Sequence, residues 1–144
     1  MCYMEKPPDD PGRRGAVAII LREEKMLVIR RSQEVVAPGA FCFPGGGLEG
    51  RESQREALVR ELREELDVEI RPVRRIWQSV TPWKVELGWW LAEMADDQRP
   101  RPNPAEVESV HWFTPTEMAQ LDELLPSNQE FLELVIGGEI RLSE

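Results

Sequence analysis

The stretch APGAFCFPGGGLEGRESQREALVRELREELDV, residues 37–68, changes character at its middle. Its first part, Ala37 to Gly47, is dense in Gly and Pro and cannot hold one regular element throughout. Its second part, Ser53 to Leu66, contains strong helix formers and neither Gly nor Pro, and Ser53 stands three residues before Glu56 as the two halves of a capping box. A helix is therefore expected over these residues, with Asp67 at its exit. At about 100° of rotation per residue, Glu61, Glu64 and Glu65 share an arc of roughly 100° with Ala57. Leu58, Val59, Leu62 and Leu66 occupy the adjacent arc, so the helix can bury one side on a sheet and carry acids along the border.

Three carboxylates held this close repel one another unless a positive charge sits among them. Taken alone, such a cluster is more often a solvated helix face with neighbouring arginines than a metal site. A cation that suited it would be hard and oxygen-loving, Mg²⁺ or Mn²⁺, and Ala57 would leave room beside the acids. Just upstream, Gly45, Gly46 and Gly47 could bring bare backbone N–H groups against a phosphate near the helix start, although a turn is the plainer reading and the Lys-Ser/Thr ending of a P-loop is missing.

Outward from this stretch, GAVAIIL (15–21) and MLVIR (26–30) are short β-branched runs split by charged REEK, which predicts a hairpin. Downstream, strands are expected around Ile76 to Val80 and Val85 to Met94, joined by the TPWK turn. ADDQRPRPNP (95–104) reads as a polar, proline-rich loop and SVHWF as a last strand. Thr114 caps a helix whose first residue is Pro115, and a final helix spans Asn128 to Ile136, stopping at Gly137. Residues 1–14 read as a flexible leader and 15–144 as one domain built from a mixed sheet with helices packed on it.

The 144 residues are 41% hydrophobic and 31% charged, enough apolar material for one compact core and too few residues for two ordinary domains. The net charge of −9 argues against gripping duplex nucleic acid through phosphates, and makes a divalent cation the natural mediator for any phosphate ligand. Cys2 and Cys42 form neither a zinc pattern nor a disulfide framework, no stretch is long and apolar enough for a bilayer, and no signal-peptide region precedes the domain. A cytoplasmic protein with no membrane partner is the expectation. The single histidine, His111, and the five tryptophans read as structural, except that adjacent Trp89 and Trp90 must face opposite ways and one could line a cleft.

Gly46, Glu52, Arg60, Glu61, Leu62, Glu64, Glu65 and Val68 stand at the spacing G-x5-E-x7-R-E-U-x-E-E-x-G-U, and with the preceding PGAFCFPGGG they resemble the Nudix hydrolase family. Asp67 replaces the last consensus glycine; Asp tolerates the left-handed conformation, at a cost of about 1 kcal/mol. The resemblance implies a Nudix-like α/β/α sandwich with a mixed β-sheet. It also implies Mg²⁺-dependent hydrolysis of a phosphoanhydride bond in a nucleoside diphosphate linked to another moiety, a small-molecule substrate such as a nucleoside triphosphate. Glu61, Glu64 and Glu65 would ligate the metal, with Mn²⁺ able to replace Mg²⁺, and Glu64 or Glu65 could be the general base. Arg60 and Glu52 would brace the loop against the helix.

A further acid outside the box often joins the site in this family; Glu106 is the candidate by position, ahead of Glu108 and Glu86. The alternative reading is a nucleotide- or RNA-binding Nudix-like module that does not cut. Such modules commonly lose box carboxylates, whereas all four stand here. A homodimer is left open. The approach to the box lacks the full coenzyme A signature, and Pro82 lies only near the place of an ADP-ribose marker.

Overall fold

The computed structural model describes residues 13–35, 37–82 and 84–142. The leader expected over 1–14 lies outside the described residues as far as residue 12, and Arg14 already opens the first strand. Strands β1 (Arg14–Arg22) and β2 (Lys25–Arg31) form the expected antiparallel hairpin, with Leu21 opposite Met26. Glu23 and Glu24 between them both adopt positive φ, 52° and 68°, the twist that a two-residue hairpin turn requires.

The glycine-rich approach supplies two short strands, β3 (Phe41–Cys42) against β2 and β4 (Gly45–Gly47) antiparallel to β1. Helix α1 (Gln54–Leu66) follows, then β5 (Ile70–Val80), β6 (Glu86–Met94), β7 (Val107–Phe113), α2 (Pro115–Ala119) and α3 (Pro126–Ile136). The sheet runs β3-β2-β1-β6-β5, with β4 also on β1 and β7 also on β2. β1 and β6 are parallel, Val17 opposite Trp89, while the other pairs are antiparallel, so the sheet is mixed as expected.

Period-two alternation along β6 sends its adjacent tryptophans to opposite faces. Trp89 is fully buried and stacks on Phe131 of α3 at 4.8 Å between ring centres. Trp90 is half-buried on the other face, where its indole N–H donates to Gln54 Oε1 at 2.8 Å and the Arg55 guanidinium lies 4.6 Å over its ring. Helix α1 thus covers one side of the sheet and α3 the other, giving the α/β/α layering. Trp90 is occupied under the first turn of α1 rather than lining a cleft.

Three boundaries differ from the sequence reading. β5 begins at Ile70, not near Ile76; Pro72 and the register shifts at 72–74 and 75–77 hide its period, and an outer strand accepts a proline that a central strand would not. β7 begins at Val107 rather than Ser109, and α3 begins at Pro126, where a first-turn position costs proline nothing because that N–H would be unpaired anyway.

Helix α1 starts and stops as its residues dictate. Ser53 accepts from the Glu56 N–H at 3.1 Å and Glu56 accepts from the Ser53 N–H at 2.9 Å, closing both halves of the capping box. Asp67 ends it in the left-handed region, φ 54° and ψ 44°. Glycine adopts that conformation without steric cost, so Asp67→Gly is expected to stabilise the fold by about 1 kcal/mol. Chemical denaturation of the two proteins checks this, and an equal or lower midpoint for the variant counts against it. Among the described residues no helix is long and apolar enough to cross a membrane.

Candidate active site

Helix α1 packs on β1, β4 and β5, burying Ala57, Leu58, Leu62 and Leu66. That packing decides the fate of the three glutamates. Glu61 and Glu65, one turn apart on the buried side, are only 4% and 2% exposed, while the Glu64 side chain is about half exposed. Ala57 is itself 1% exposed, so the room expected beside it is closed by packing.

Two buried carboxylates cost several kcal/mol each unless something compensates them. Glu65 Oε1 accepts from the Gly45 N–H at 3.1 Å. Glu61 Oε1 lies 3.0 Å from Arg60 Nη1. Burial pushes the Glu61 carboxyl up from its ordinary value, and the neighbouring Arg60 pulls the other way.

Arg60 is the hub of the site. Its Nε and Nη2 donate to the two Glu52 oxygens at 2.7 and 2.9 Å, a bidentate fork, and Nη2 also donates to the Gly47 carbonyl at 2.9 Å. Its Nη1 reaches Glu64 at 3.2 Å and Glu49 at 3.3 Å. The brace between the loop and the helix is therefore a physical one, tying the segment before α1 to β4 and to the acids on α1. The Arg60 hydrogen bonds hold the Glu52 carboxyl below its ordinary value and raise the guanidinium further.

The sign of the resulting pH dependence follows. A carboxyl depressed in the folded state contributes stability above its unfolded pKa of about 4.3, and loses it as pH falls through the lower folded value. Melting curves from pH 7 to pH 3 should show Glu52→Gln approaching the wild type at the acid end. A constant gap between the two proteins over that range would mean that the Glu52 charge contributes nothing.

Of the glycines expected to cradle a phosphate, all three are buried in β4, and the Gly45 N–H is the one given to Glu65. Gly45 has φ 150°, and a Cβ there would stand 2.2 Å from the Ala16 carbonyl oxygen, so the close approach of β4 to β1 admits only glycine.

Glu106 lies in the turn before β7, and its Oε2 is buried with no hydrogen-bond partner among the described residues. A buried orphan carboxylate oxygen calls for a partner. Glu108 instead sits 3.6 Å from Arg30, and Glu86 stands exposed opposite Arg14 at the start of β6. As their side chains stand, no three His, Cys, Asp or Glu residues among those described enclose a metal position. Arg60 and the Gly45 N–H engage the acids instead. The donor chemistry, carboxylate oxygens only, suits a hard divalent cation.

Sequence reading passed over one buried polar residue that shapes this region. Asn128 is fully buried in the first turn of α3, and its Oδ1 accepts from the Phe43 N–H at 3.0 Å. The signal was available: with Phe131, Leu132 and Val135 it forms an i, i+3, i+4, i+7 stripe in which it alone is polar. Asn128→Leu removes the side-chain acceptor of that N–H from the core and is expected to cost about 1–3 kcal/mol, measured by denaturant unfolding. Of the tryptophans, Trp77 packs beside Trp89 at 5.1 Å, Trp112 lies under Arg22 at 4.9 Å, and position 83 is outside the described residues. His111 is a strand residue packed on Phe41 and Phe113, as its setting suggested.

The NUDIX domain model matches residues 12–135, and the chain belongs to that family. It is 30% identical over 124 residues to the NAD-capped RNA hydrolase NudC of Stutzerimonas stutzeri, a match covering 83% of this chain and 41% of that protein. It is 52% identical over 52 residues to the CTP pyrophosphohydrolase of Escherichia coli, covering 36% of this chain and 38% of that one. The matches thus span about two-fifths of these relatives' lengths. A crystal structure of a MutT NUDIX hydrolase from Burkholderia pseudomallei superposes with a TM-score of 0.69 at 26% identity, over 88% of this chain and 99% of that one.

Proposed function

We propose that the chain is a Mg²⁺-dependent pyrophosphohydrolase that cuts a phosphoanhydride bond in a nucleoside diphosphate linked to another moiety. The observation that carries this reading is the charge balance of α1. Glu61 and Glu65 are buried side by side among the acids of α1, and Arg60, which reaches Glu61, also holds Glu52 in a bidentate fork. An anionic substrate would add negative charge to a site already rich in it, so a divalent cation is required to hold both.

In this reading Glu61 and Glu65, with Glu106 from the turn before β7, hold the metal. The ion supplies charge neutralisation of the phosphate oxygens and activation of the attacking water. Glu64, half exposed beside them, takes the proton from that water. Arg60 and Glu52 keep the acids oriented, and the β4 backbone lies beside the phosphates. Mn²⁺ can replace Mg²⁺, and the setting is cytoplasmic. Two relatives, a CTP pyrophosphohydrolase and an NAD-capped RNA hydrolase, favour a nucleotide substrate.

The test is a released-phosphate screen over nucleoside triphosphates, ADP-ribose, dinucleoside polyphosphates and coenzyme A. Turnover that depends on Mg²⁺ and disappears in Glu64→Gln is expected. Ligand binding without turnover in every case would favour a binding module instead.

A further inference from the structure

The loop that joins β6 to β7 reads RPRPNP over residues 99–104, with proline at every second position. Proline has no N–H and fixes its own φ, and it pushes the residue before it into an extended conformation. The segment from Pro100 to Pro104 is therefore stiff and keeps only two backbone donors, Arg101 and Asn103. Both are used on α1: the Arg101 N–H donates to the Leu66 carbonyl at 2.7 Å and the Asn103 N–H to the Glu65 carbonyl at 2.9 Å. The Asn103 side chain adds a third bond, Nδ2 to the Glu64 carbonyl at 3.2 Å. Three consecutive carbonyls at the end of α1, which an isolated helix leaves to water, are thus taken by a strap from elsewhere in the chain.

The same asparagine builds the turn that carries Glu106. Its carbonyl accepts from the Glu106 N–H at 2.9 Å and the Val107 N–H at 2.7 Å, and its Oδ1 accepts from the Ala105 N–H at 3.2 Å. The Glu106 carbonyl in turn accepts from the Ser32 N–H at 3.1 Å, at the end of β2. One residue therefore stands between the helix positions of Glu64 and Glu65 and the backbone of Glu106, bonded to both.

We propose that Asn103 is a positioning residue, which sets the Glu106 carboxylate against the acids of α1 so that a divalent cation meets them together. The proline alternation stiffens the strap that holds it there. This rests on the assignment of Glu106 as a ligand under Proposed function. Glu106 sits on a turn, and a carboxylate on a turn needs a fixed backbone to hold an ion at one distance; residues that orient metal ligands typically carry 10–100-fold of the affinity.

The experiment is Mn²⁺ binding by titration calorimetry to the wild type, Asn103→Ala, Glu106→Gln and the double variant. It is read beside amide hydrogen exchange of residues 101 and 103. Asn103→Ala is expected to weaken Mn²⁺ binding about tenfold with Glu106 present and to have no further effect in the Glu106→Gln background. In the wild type the Arg101 and Asn103 amides should exchange slowly.

An equal loss in both backgrounds, or no loss beside a clear effect of Glu106→Gln, overturns the positioning role while leaving the ligand assignment standing. Unchanged binding in Glu106→Gln overturns the ligand assignment itself. Should Asn103→Ala not fold, Pro102→Ala loosens the strap without removing a hydrogen bond. It should then give a smaller loss, again only when Glu106 is present.

Discussion

Glu61→Gln is expected to lower Mg²⁺-dependent turnover by about 10²–10⁴-fold while melting at the wild-type temperature or above it. The two halves of this result come from the same fact. Glu61 is buried, and burial raises its carboxyl above the ordinary value, so the fold carries a cost for keeping the charge there. Glutamine keeps the shape and removes the charge. Arg60 retains Glu52 and Glu64, so the substitution does not leave that guanidinium without carboxylate partners. What is lost, under the proposed assignment, is a charged oxygen for the metal. A purely structural glutamate would give the opposite pattern, unaltered specific activity and a lower melting temperature. Thermal melts and initial rates on the same preparations decide between them.

Gly45→Ala is expected to be severely damaging for a single added methyl, with a loss of about 3 kcal/mol or more and a melting temperature lowered by about 10 °C. The added carbon would stand 2.2 Å from one backbone atom of β1 and 2.9 Å from another, at a φ that side chains rarely adopt. Backbone cannot step aside as a flexible side chain can, so β4 must move away from β1. The Gly45 N–H that holds Glu65 moves with it, and turnover should fall beyond what the fraction of folded protein explains. A melting temperature within about 2 °C of the wild type would show that the strand pair yields more easily than its geometry implies.

Much of the site was legible because it is local. The capping box, the αL exit at Asp67 and the arc of Glu61, Glu64 and Glu65 depend on residues within one helix, where spacing alone sets geometry. The bond between Arg60 and Glu52 spans eight positions and came with the family resemblance rather than with any rule of periodicity. The rest depended on partners far away in the chain. Nothing near Gly45 announces that its N–H will meet Glu65, and nothing near Asn103 announces Glu64, 39 positions earlier. β5 was half missed for a different reason: its first residues, Ile-Arg-Pro-Val-Arg-Arg, carry charge and a proline on a strand buried from one side only, so the alternation that marks a strand is broken.

That strand has a bearing on how the molecule behaves in a crowded solution. β5 pairs with β6 along one side, and the eleven residues of its far side end the sheet path. Among the described residues no further strand pairs with that edge, and an unpaired edge is a template on which another extended chain can zip, although the Arg55 guanidinium already takes the Pro72 and Val73 carbonyls at 2.8 and 3.2 Å. Pro72 brings no N–H to that edge, the two register shifts bend it, and the exposed Arg74 and Arg75 set like charges against a second copy of the same edge. The irregularities that hid β5 from a periodicity reading are thus the ones that guard the sheet against growing by lateral addition.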